Sequence, residues 1–491
     1  MIKNKANTYV LTLQLNTETY QYNILKKRFE ISRQIYNACL SEILKRYEHM
    51  KESKKYQVIS RLSKGKDRNK QFNALNKIYN ITENSLHTFV KPMCVHFNKN
   101  IDSLTGQKLA SRAYDTFEKL MVHVAKKVNF IRYGELRSIE GKWNRSGIKY
   151  NIKINKLMWN GLEVPIIIKD KDVYAQKSIH DTIKYNRIKR EMIKGKYHYY
   201  IQLIMEGVPP AKVTKQGEIK GDISYGNVGI DIGTQTIAIS SKYDVKLLEL
   251  CPEINNIDKQ VKLLQRKTNR SRRLTNINKF NENGTFKRCN KDKWIYSNHY
   301  INIKNQIKEL YRKQIAIRKQ SHNILVNKLL CLGDKFYVET MNYEGLQKRA
   351  KKTTVNKKGR FNKKKRFGKS ITNKAPSLFL NILDNKLKWN GTHLFKVNTR
   401  IIKASQYNHL TNDYQKKKLN NRWNTFIINN KEIKIQRDLY SSFLLMNVKD
   451  NLEEIDRDLC INEFDNFIVL HDKEIKRLLN STNKLISSMG I

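Results

Sequence analysis

One stretch constrains the fold of this chain more than any other: "GIDIGTQTIAIS", residues 229–240. Apolar residues fill both halves, and Gly233-Thr234 between them predicts a turn, so the stretch is typical of a β-hairpin. The first strand delivers Asp231 into that turn. A hairpin of this kind can hold a nucleotide phosphate or a catalytic metal.

The charge of the chain indicates its partner. Lys and Arg number 96 against 44 Asp and Glu, a formal net charge of +52 over 491 residues. Such a surface favours a polyanion, and nucleic acid fits best because neutralised phosphates release counterions. An anionic membrane is the competing partner, but no run of about eighteen apolar residues occurs and the N-terminus is too short and polar for a signal peptide. We therefore expect no membrane association and a cytoplasmic, nucleoid-associated protein.

The cysteines argue against two kinds of small scaffold. The six are far apart and no C-x-x-C pair occurs. They are expected to be ordinary reduced residues, which excludes a disulfide framework and a zinc ribbon.

The first half of the chain alternates between two patterns. "YVLTLQL" near residue 10 alternates like a half-buried strand, and the helix that follows has an apolar stripe beneath a basic face. Residues 1–50 are thus predicted to start a barrel, residues 51–128 to form a helical domain, and residues 129–208, where the period changes to two, to complete the barrel. Because the first strand has no local partner, we expect it to pair with this later region, so that the helical domain is inserted into one barrel.

The second half begins after a polar linker at 209–222 and extends over 223–455. After the hairpin come a long helical region with a polar break, the strand "KFYVET" with Glu339 at its end, a helix over about 376–388 and the strand "HLFKVN". The stretch "EIKIQRDLYSSFLLMNV" is predicted to start a helix carrying Asp438, and residues 456–491 are predicted to be a C-terminal tail.

Asp231 alone leaves two chemistries open. Asp-x-Gly-Thr in a hairpin is also the first phosphate loop of the actin and sugar-kinase ATPase superfold, where glycine lets the backbone approach the phosphate. That fold needs a second glycine-rich phosphate hairpin and a glycine-rich adenosine site, and neither occurs after residue 241.

Together with Glu339 and Asp438, Asp231 fits the other chemistry. An RNase H-like core carries an Asp on its first strand, a Glu at the end of a later strand and an Asp on a helix beyond it. Such acids hold two divalent cations that activate water and stabilise the leaving oxygen, and Mg²⁺ prefers oxygen ligands. Each acid also has a simpler interpretation: Glu339 could be solvated, with Glu344 as available, and Asp438 could cap its helix or pair with Arg437.

At this point the sequence resembles the TnpB proteins of insertion sequences, relatives of the type V CRISPR effector nucleases. The resemblance is carried by "VGIDIGTQTIAIS", "IAIRKQSHNILVNKLL", "FYVETMNYEGL" and "QRDLYSSFLL", and further by "YNACL" and "KGKYHYYIQLIME". It extends from about residue 8 to 450.

The resemblance implies a multidomain α+β and α/β protein: a β-barrel wedge domain with an inserted helical recognition domain, followed by an RNase H-like (RuvC) nuclease domain. It implies a guide RNA from the transposon end, double-stranded target DNA with a short adjacent motif, and specificity supplied by guide pairing. The metal ligands of the family fall on Asp231, Glu339 and Asp438, which would hold Mg²⁺ in a two-metal site. The expected activity is RNA-guided DNA cleavage.

The chain departs from the family in one region. Members typically carry a four-cysteine zinc ribbon between the second and third RuvC motifs, whereas residues 399–430 contain no cysteine and one histidine, His409. No structural zinc is therefore expected. The run "SIEGKWNRSGI", 138–148, is interpreted as a turn, with RNA contact as the alternative.

A basic insert over 347–374 contains no acidic residue and is predicted to bind nucleic-acid backbone as a lid near the cleavage site. The candidate contacts are Arg349, Lys351, Lys352, Lys363, Lys364, Lys365 and Arg366. The alternatives to a nuclease are a guide-directed binding protein that does not cut, an ATP-binding protein, and a transposase that uses the same acids for strand transfer.

Overall fold

The computed structural model describes residues 7–214, 216–356, 359–362, 364, 367–416, 421–428, 431–482 and 485–491. The chain divides into two compact units, residues 1–211 and 212–491, and the division falls within the segment whose composition predicts a linker. Each unit mixes helices and strands. Of the helices in the described ranges, none has an apolar run long enough to cross a bilayer.

Unit 1 is built on a curled antiparallel sheet of seven strands, in the order β2-β6-β7-β1-β5-β4-β3. The strands are β1 (Thr8–Leu15), β2 (Ser138–Glu140), β3 (Lys149–Asn151), β4 (Lys156–Trp159), β5 (Leu162–Ile167), β6 (Ile183–Ile193) and β7 (Lys196–Glu206). Every second residue of β1 is buried, as its alternation predicts. The strand lies between β7 and β5, which confirms that it pairs with the later part of the unit.

Five helices follow β1 before the chain returns to the sheet, and a sixth precedes β6. They are α1 (Thr19–Glu52), α2 (Lys54–Arg61), α3 (Lys66–Ile78), α4 (Glu83–His96), α5 (Ser103–Met121) and α6 (Val173–Ser178). A capping box between Glu18 and Gln21 starts α1, and the apolar stripe of this helix, including Leu25 and Phe29, is fully buried. The assignment of these parts as wedge and recognition domains stays a prediction.

Unit 2 contains a mixed sheet of five strands in the order β10-β9-β8-β11-β12. The strands are β8 (Asn227–Ile232), β9 (Thr236–Ser241), β10 (Val245–Glu249), β11 (Lys335–Glu339) and β12 (Leu394–Val397). β8 and β9 form the predicted hairpin, and β11 runs parallel to both β8 and β12.

Helices cover both faces of this sheet. On one face, α8 (Asn298–Leu330) and α11 (Pro376–Trp389) pack on apolar residues of β8, β9 and β11. On the other face, α13 (Arg437–Met446) and α14 (Arg457–Leu479) form a second core with residues of β9, β10, β11 and β12. The remaining elements are α7 (Ile254–Thr275), a 3₁₀ turn (Ile277–Lys279), α9 (Tyr343–Gln347), α10 (Gly368–Lys374), α12 (Thr399–Ile402), β13 (Tyr407–Asn408), β14 (Asp413–Tyr414), β15 (Trp423–Ile428) and β16 (Lys431–Gln436).

Two predicted segments differ in the structure. The stretch "EIKIQ" is the strand β16, paired with β15, so the helix that carries Asp438 begins only at Arg437. Ile433 and Ile435 alternate with charged residues, which suits a strand. The predicted C-terminal tail contains α14, whose Cys460, Phe464 and Phe467 are buried in the second core.

The helix α13 crosses the sheet at Gly229 in β8. A Cβ at this position would lie 1.9 Å from the Ser442 carbonyl oxygen and 2.4 Å from the Met446 nitrogen. A hydrogen bond of 2.8 Å between the Ser240 and Ser442 hydroxyls joins the same helix to β9. Glycine is therefore required at residue 229 by the close approach of a helix backbone.

Replacing Gly229 with alanine should lower the free energy of unfolding by about 3 kcal/mol, the upper end for overpacking, because the obstructing atoms are backbone and cannot rotate away. Chemical denaturation of the full chain measures the change. Gly65→Ala is the control, since a Cβ there would meet no atom within 4 Å and its φ of −172° suits any residue. Because Gly65 is the N-cap of α3, this variant should lose no more than about 1 kcal/mol. Equal stability of the two variants would contradict the close approach of α13.

Candidate metal centre

Two of the predicted acids lie at the same end of neighbouring strands. Asp231 stands near the end of β8, and Glu339 is the last residue of β11. The two strands are parallel, with Val338 opposite Ile230, so the next residue of each strand is one of the two acids. This register brings Asp231 and Glu339 side by side.

The third acid is placed by the start of α13. The side chain of Gln436 caps this helix by accepting a hydrogen bond of 2.8 Å from the Leu439 nitrogen. Asp438 lies in the first turn, where the helix dipole favours negative charge. Since α13 packs on β8 and β9, the charge of Asp438 acts on Asp231.

Asp438 and Glu339 lie close enough to Asp231 for their negative charges to change its pKa. Burial, followed by the negative charges of Asp438 and Glu339, raises the pKa of Asp231 well above its usual range. Burial also raises the pKa of Glu339 to about 7. Without a cation, a carboxylate in such a place binds a proton more readily than it does in water.

Two arginines hold Asp438. Arg437 Nη2 lies 2.9 Å from Asp438 Oδ1, and Arg422 Nη1 lies 3.3 Å from Asp438 Oδ2. The pairing with Arg437 is one of the alternatives that the sequence left open. No sequence pattern predicts the contact between Arg422 and Asp438, because the pairing of β15 with β16 places Arg422 next to α13. The Arg437 nitrogen donates a hydrogen bond of 2.8 Å to the Arg422 carbonyl.

A small cavity of about 180 Å³ opens beside these residues. It is lined by Asp231, Gly233, Thr234, Gln235, Thr236, Arg422, Arg437, Asp438 and Ser488. The hydroxyl of Ser488 is buried and has no hydrogen-bond partner among the residues that the structure describes. The cavity thus combines carboxylates, guanidinium groups and a hydroxyl, which suits a phosphate group with its counterions.

The side chains of Asp231, Glu339 and Asp438 are all carboxylates, the type of ligand that a hard divalent cation prefers. A bound cation would reduce the electrostatic repulsion between them. In the present arrangement, however, no group of three or more His, Cys, Asp or Glu within the described ranges could enclose an ion. Asp438 faces its two arginines instead.

The raised pKa of Glu339 predicts how stability depends on pH. The folded state binds this proton more tightly than the unfolded chain, so the stabilisation is present at low pH and is lost as the pH rises from about 4.5 to about 7. In a metal chelator, we expect the melting temperature of the wild type relative to Glu339→Gln to fall between pH 5 and pH 8. Differential scanning fluorimetry measures both proteins.

Adding Mg²⁺ at pH 8 should raise the wild-type melting temperature relative to Glu339→Gln. Glu118→Gln, on the exposed side of α5, serves as the control and should follow the wild type throughout. If the melting temperature of Glu339→Gln changes with pH in parallel with the wild type, with and without Mg²⁺, the Glu339 carboxylate neither titrates between pH 5 and pH 8 nor binds a cation.

The basic insert is attached beside the carboxylates. The Tyr343 hydroxyl in α9 donates to the Ile232 carbonyl (3.4 Å), directly after Asp231. At the other end, the buried ammonium of Lys374 donates to Glu249 Oε1 (2.6 Å) and to the Cys251 carbonyl (3.1 Å).

The candidate nucleic-acid ligands within the insert divide into two groups. Arg349, Lys351 and Lys352 are exposed, and Lys364 is half-buried. Lys363, Lys365 and Arg366 lie outside the described residues. The role of the whole group in binding nucleic acid stays a prediction.

His409, the one histidine of the cysteine-free region, is a core residue. Its side chain is fully buried, Nδ1 lies 2.7 Å from the Tyr440 hydroxyl, and the ring packs edge-on against Phe464. Burial lowers its pKa to about 4, so the ring is neutral at physiological pH. This histidine packs the core of unit 2.

Comparison with known proteins gives structural matches alone. No family model and no curated protein matches the chain. A cryo-EM structure of a Cas12f1–sgRNA–target DNA complex matches with 12% sequence identity and a TM-score of 0.40, covering 90% of this chain and 99% of that chain. A CRISPR-Cas12f ternary complex matches with 13% identity and a TM-score of 0.27, covering 88% and 86%. At these identities and TM-scores, neither structure assigns a function to this chain.

Proposed function

We propose that the chain is an RNA-guided DNA endonuclease, encoded by an insertion sequence, that hydrolyses phosphodiester bonds with two Mg²⁺ ions. Its partners are a guide RNA from the transposon end and double-stranded DNA with a short adjacent motif. Guide pairing selects the target, while the protein holds the backbone and shape of the duplex.

The observation that carries the proposal is the meeting of three acids from distant parts of the sequence. Asp231 and Glu339 come from two parallel strands and Asp438 comes from a helix, and the negative charges of Glu339 and Asp438 both act on Asp231. The net charge of +52 favours binding to phosphates, and partly buried carboxylates beside a basic insert favour metal ions as the link to those phosphates.

The residues have distinct roles in this proposal. The three acids would hold the metal ions, which would supply an activated water and stabilise the leaving oxygen. The guanidinium groups of Arg422 and Arg437 line the cavity that Asp231 and Asp438 also line. They can turn from Asp438 to the non-bridging oxygens of a bound phosphate. The partly buried setting strengthens each of these charge interactions.

The proposal is tested by expressing the protein with its native flanking DNA and sequencing the RNA that copurifies. We expect one discrete RNA that ends in a variable guide. The purified complex should then cleave plasmid DNA that matches this guide, in Mg²⁺ and not in a chelator. Heterogeneous cellular RNA and intact matched plasmid would refute the proposal.

A second candidate, a guide-directed binding protein that does not cut, is favoured by one observation. Both carboxylate oxygens of Asp438 are engaged by arginines, as in a site that has no need of a cation. This candidate predicts a discrete RNA and guided DNA binding, with matched plasmid left intact at every Mg²⁺ concentration.

A further inference from the structure

The end of the α7–α8 helix pair carries a cluster of aromatic rings. We call residues 271–297 the α7–α8 tip. Here the chain leaves α7, makes a small hairpin with a bridge between Phe280 and Phe286, and returns past Trp294 to α8. The ring centroids of Phe280 and Phe286 are 4.9 Å apart, and that of Trp294 lies about 6 Å from each. The three rings therefore form one cluster.

Polar bonds fix the backbone of the tip. The side chain of Asn276 donates to the Ile295 carbonyl and accepts from the Ile295 nitrogen, both at 2.8 Å. Arg273 Nη1 donates to the Gly284 carbonyl at 2.9 Å, and the hydroxyls of Ser271 and Ser297 meet at 3.0 Å. These hydrogen bonds hold the loop that carries the rings.

Cations lie over these rings. The guanidinium of Arg272 lies 5.1 Å from the Trp294 centroid, that of Arg273 lies 4.8 Å from Phe280, and the Lys279 ammonium lies 4.9 Å from Trp294. Each distance is within the range of a cation–π interaction. Each of these positively charged groups therefore contacts an aromatic ring of the cluster.

The surface of the tip remains apolar and basic. Phe286 is 50% exposed, and Ile277 and Ile295 are 72% and 65% exposed. The segment 266–293 contains ten Lys and Arg against two acids, Glu282 and Asp292. Exposed members of this basic set are Lys287, Arg288, Lys291 and Lys293, and none of the four forms a salt bridge with a carboxylate of the described chain.

We propose that the α7–α8 tip binds unpaired nucleotides of a single strand. The Phe286 ring is half exposed, although the Arg272 guanidinium lies 5.6 Å from its centroid, and a base can stack on the exposed part of the ring. The neighbouring lysines and arginines neutralise the phosphates on either side. A protein partner would have to be strongly acidic to cover this surface, and a duplex would meet the cations without using the rings. The inference rests on the nucleic-acid partner of the proposed function, but it does not require cleavage.

The test uses photo-crosslinking of full-length protein in a metal chelator. The probes are twelve-nucleotide single strands of RNA and of DNA that carry a photoreactive thiopyrimidine, with the duplex DNA of the same sequence and inorganic polyphosphate as competitors. Mass spectrometry identifies the crosslinked peptides. We expect crosslinks within 276–296 that unlabelled single strands remove, and that duplex and polyphosphate at the same phosphate concentration reduce much less.

Variants of Phe286 separate stacking from charge. Phe286→Ala should lower the crosslink yield at the tip roughly tenfold, the effect of losing one base–aromatic stack, and Phe286→Trp should restore it. Phe286→Leu retains an apolar side chain and should behave like Phe286→Ala. Tyr243→Ala, at an exposed aromatic residue in the β9–β10 turn, should match the wild type.

Three results would overturn the inference: an unchanged tip yield in Phe286→Ala, equal competition by duplex DNA, or equal competition by polyphosphate. Comparison of the RNA and DNA probes identifies which strand the tip prefers. Because no metal is present, a protein that fails to cleave guided DNA can still give the expected crosslinks, so this outcome is independent of the nuclease test.

Discussion

Asparagine in place of Asp231 should reduce guided DNA cleavage about a thousandfold while RNA binding stays unchanged. The substitution keeps the shape of the side chain and removes the charge that, in the proposed function, would hold the metal ions. A thousandfold loss of rate corresponds to about 4 kcal/mol of transition-state stabilisation. RNA binding should be unaffected because the side chains expected to neutralise RNA phosphates, such as Arg349, Lys351 and Lys352, are not changed. Single-turnover cleavage of matched plasmid measures the rate.

The matched control is Asp465→Asn, at an exposed position of α14. It removes the same charge from the same unit and should cleave like the wild type. If the Asp231→Asn complex cleaves within tenfold of the wild type, the carboxylate is not a metal ligand. If neither protein cleaves and both bind guided DNA, the binding protein without nuclease activity is the correct interpretation.

The second large effect is the salt dependence of nucleic-acid affinity. With 96 Lys and Arg against 44 acids, we expect association with single-stranded RNA to weaken by about a thousandfold or more between 50 and 200 mM monovalent salt, because each neutralised phosphate releases counterions. Fluorescence anisotropy over a salt series gives the slope of log affinity against log salt.

Variants of the basic insert test how much of the salt dependence comes from its lysines. Lys351→Gln with Lys352→Gln should lower its magnitude by about one for each phosphate that the lysines no longer neutralise. Lys473→Gln with Lys476→Gln, two exposed lysines on α14, removes equal charge elsewhere in unit 2 and should leave the slope nearly unchanged. If both double variants have the same slope, Lys351 and Lys352 of the insert do not neutralise phosphates of the bound RNA.

The sequence predicted the elements whose pattern is local. Both halves of the β8–β9 hairpin are apolar around a Gly-Thr turn, and Glu339 follows three buried residues of β11, so the positions of two acids could be expected. The pairing of β1 with the later strands followed from the lack of a local partner.

Other features depend on interactions that no local pattern records. Arg422 reaches Asp438 through the register of the β15–β16 hairpin, sixteen positions earlier in the chain. The boundary between β16 and α13 was missed because Ile435 and Leu439 fit a helical spacing as well as they fit a strand followed by a helix. The helix α14 had a usable signal, since Cys460, Phe464, Phe467 and His471 repeat at helical spacing.

The two anchors of the basic insert set a limit on its reach. Tyr343 ties its start to the end of β8 and Lys374 ties its end to β10, which leaves the twenty residues 348–367 between α9 and α10. A tether held at both ends extends at most half its contour length, about 35 Å for ten residues. Duplex DNA rises about 3.4 Å per base pair, so in the proposed function an insert of this length would follow a bound duplex for at most about one helical turn. We therefore expect any phosphates that it neutralises to lie within about ten base pairs of its anchors.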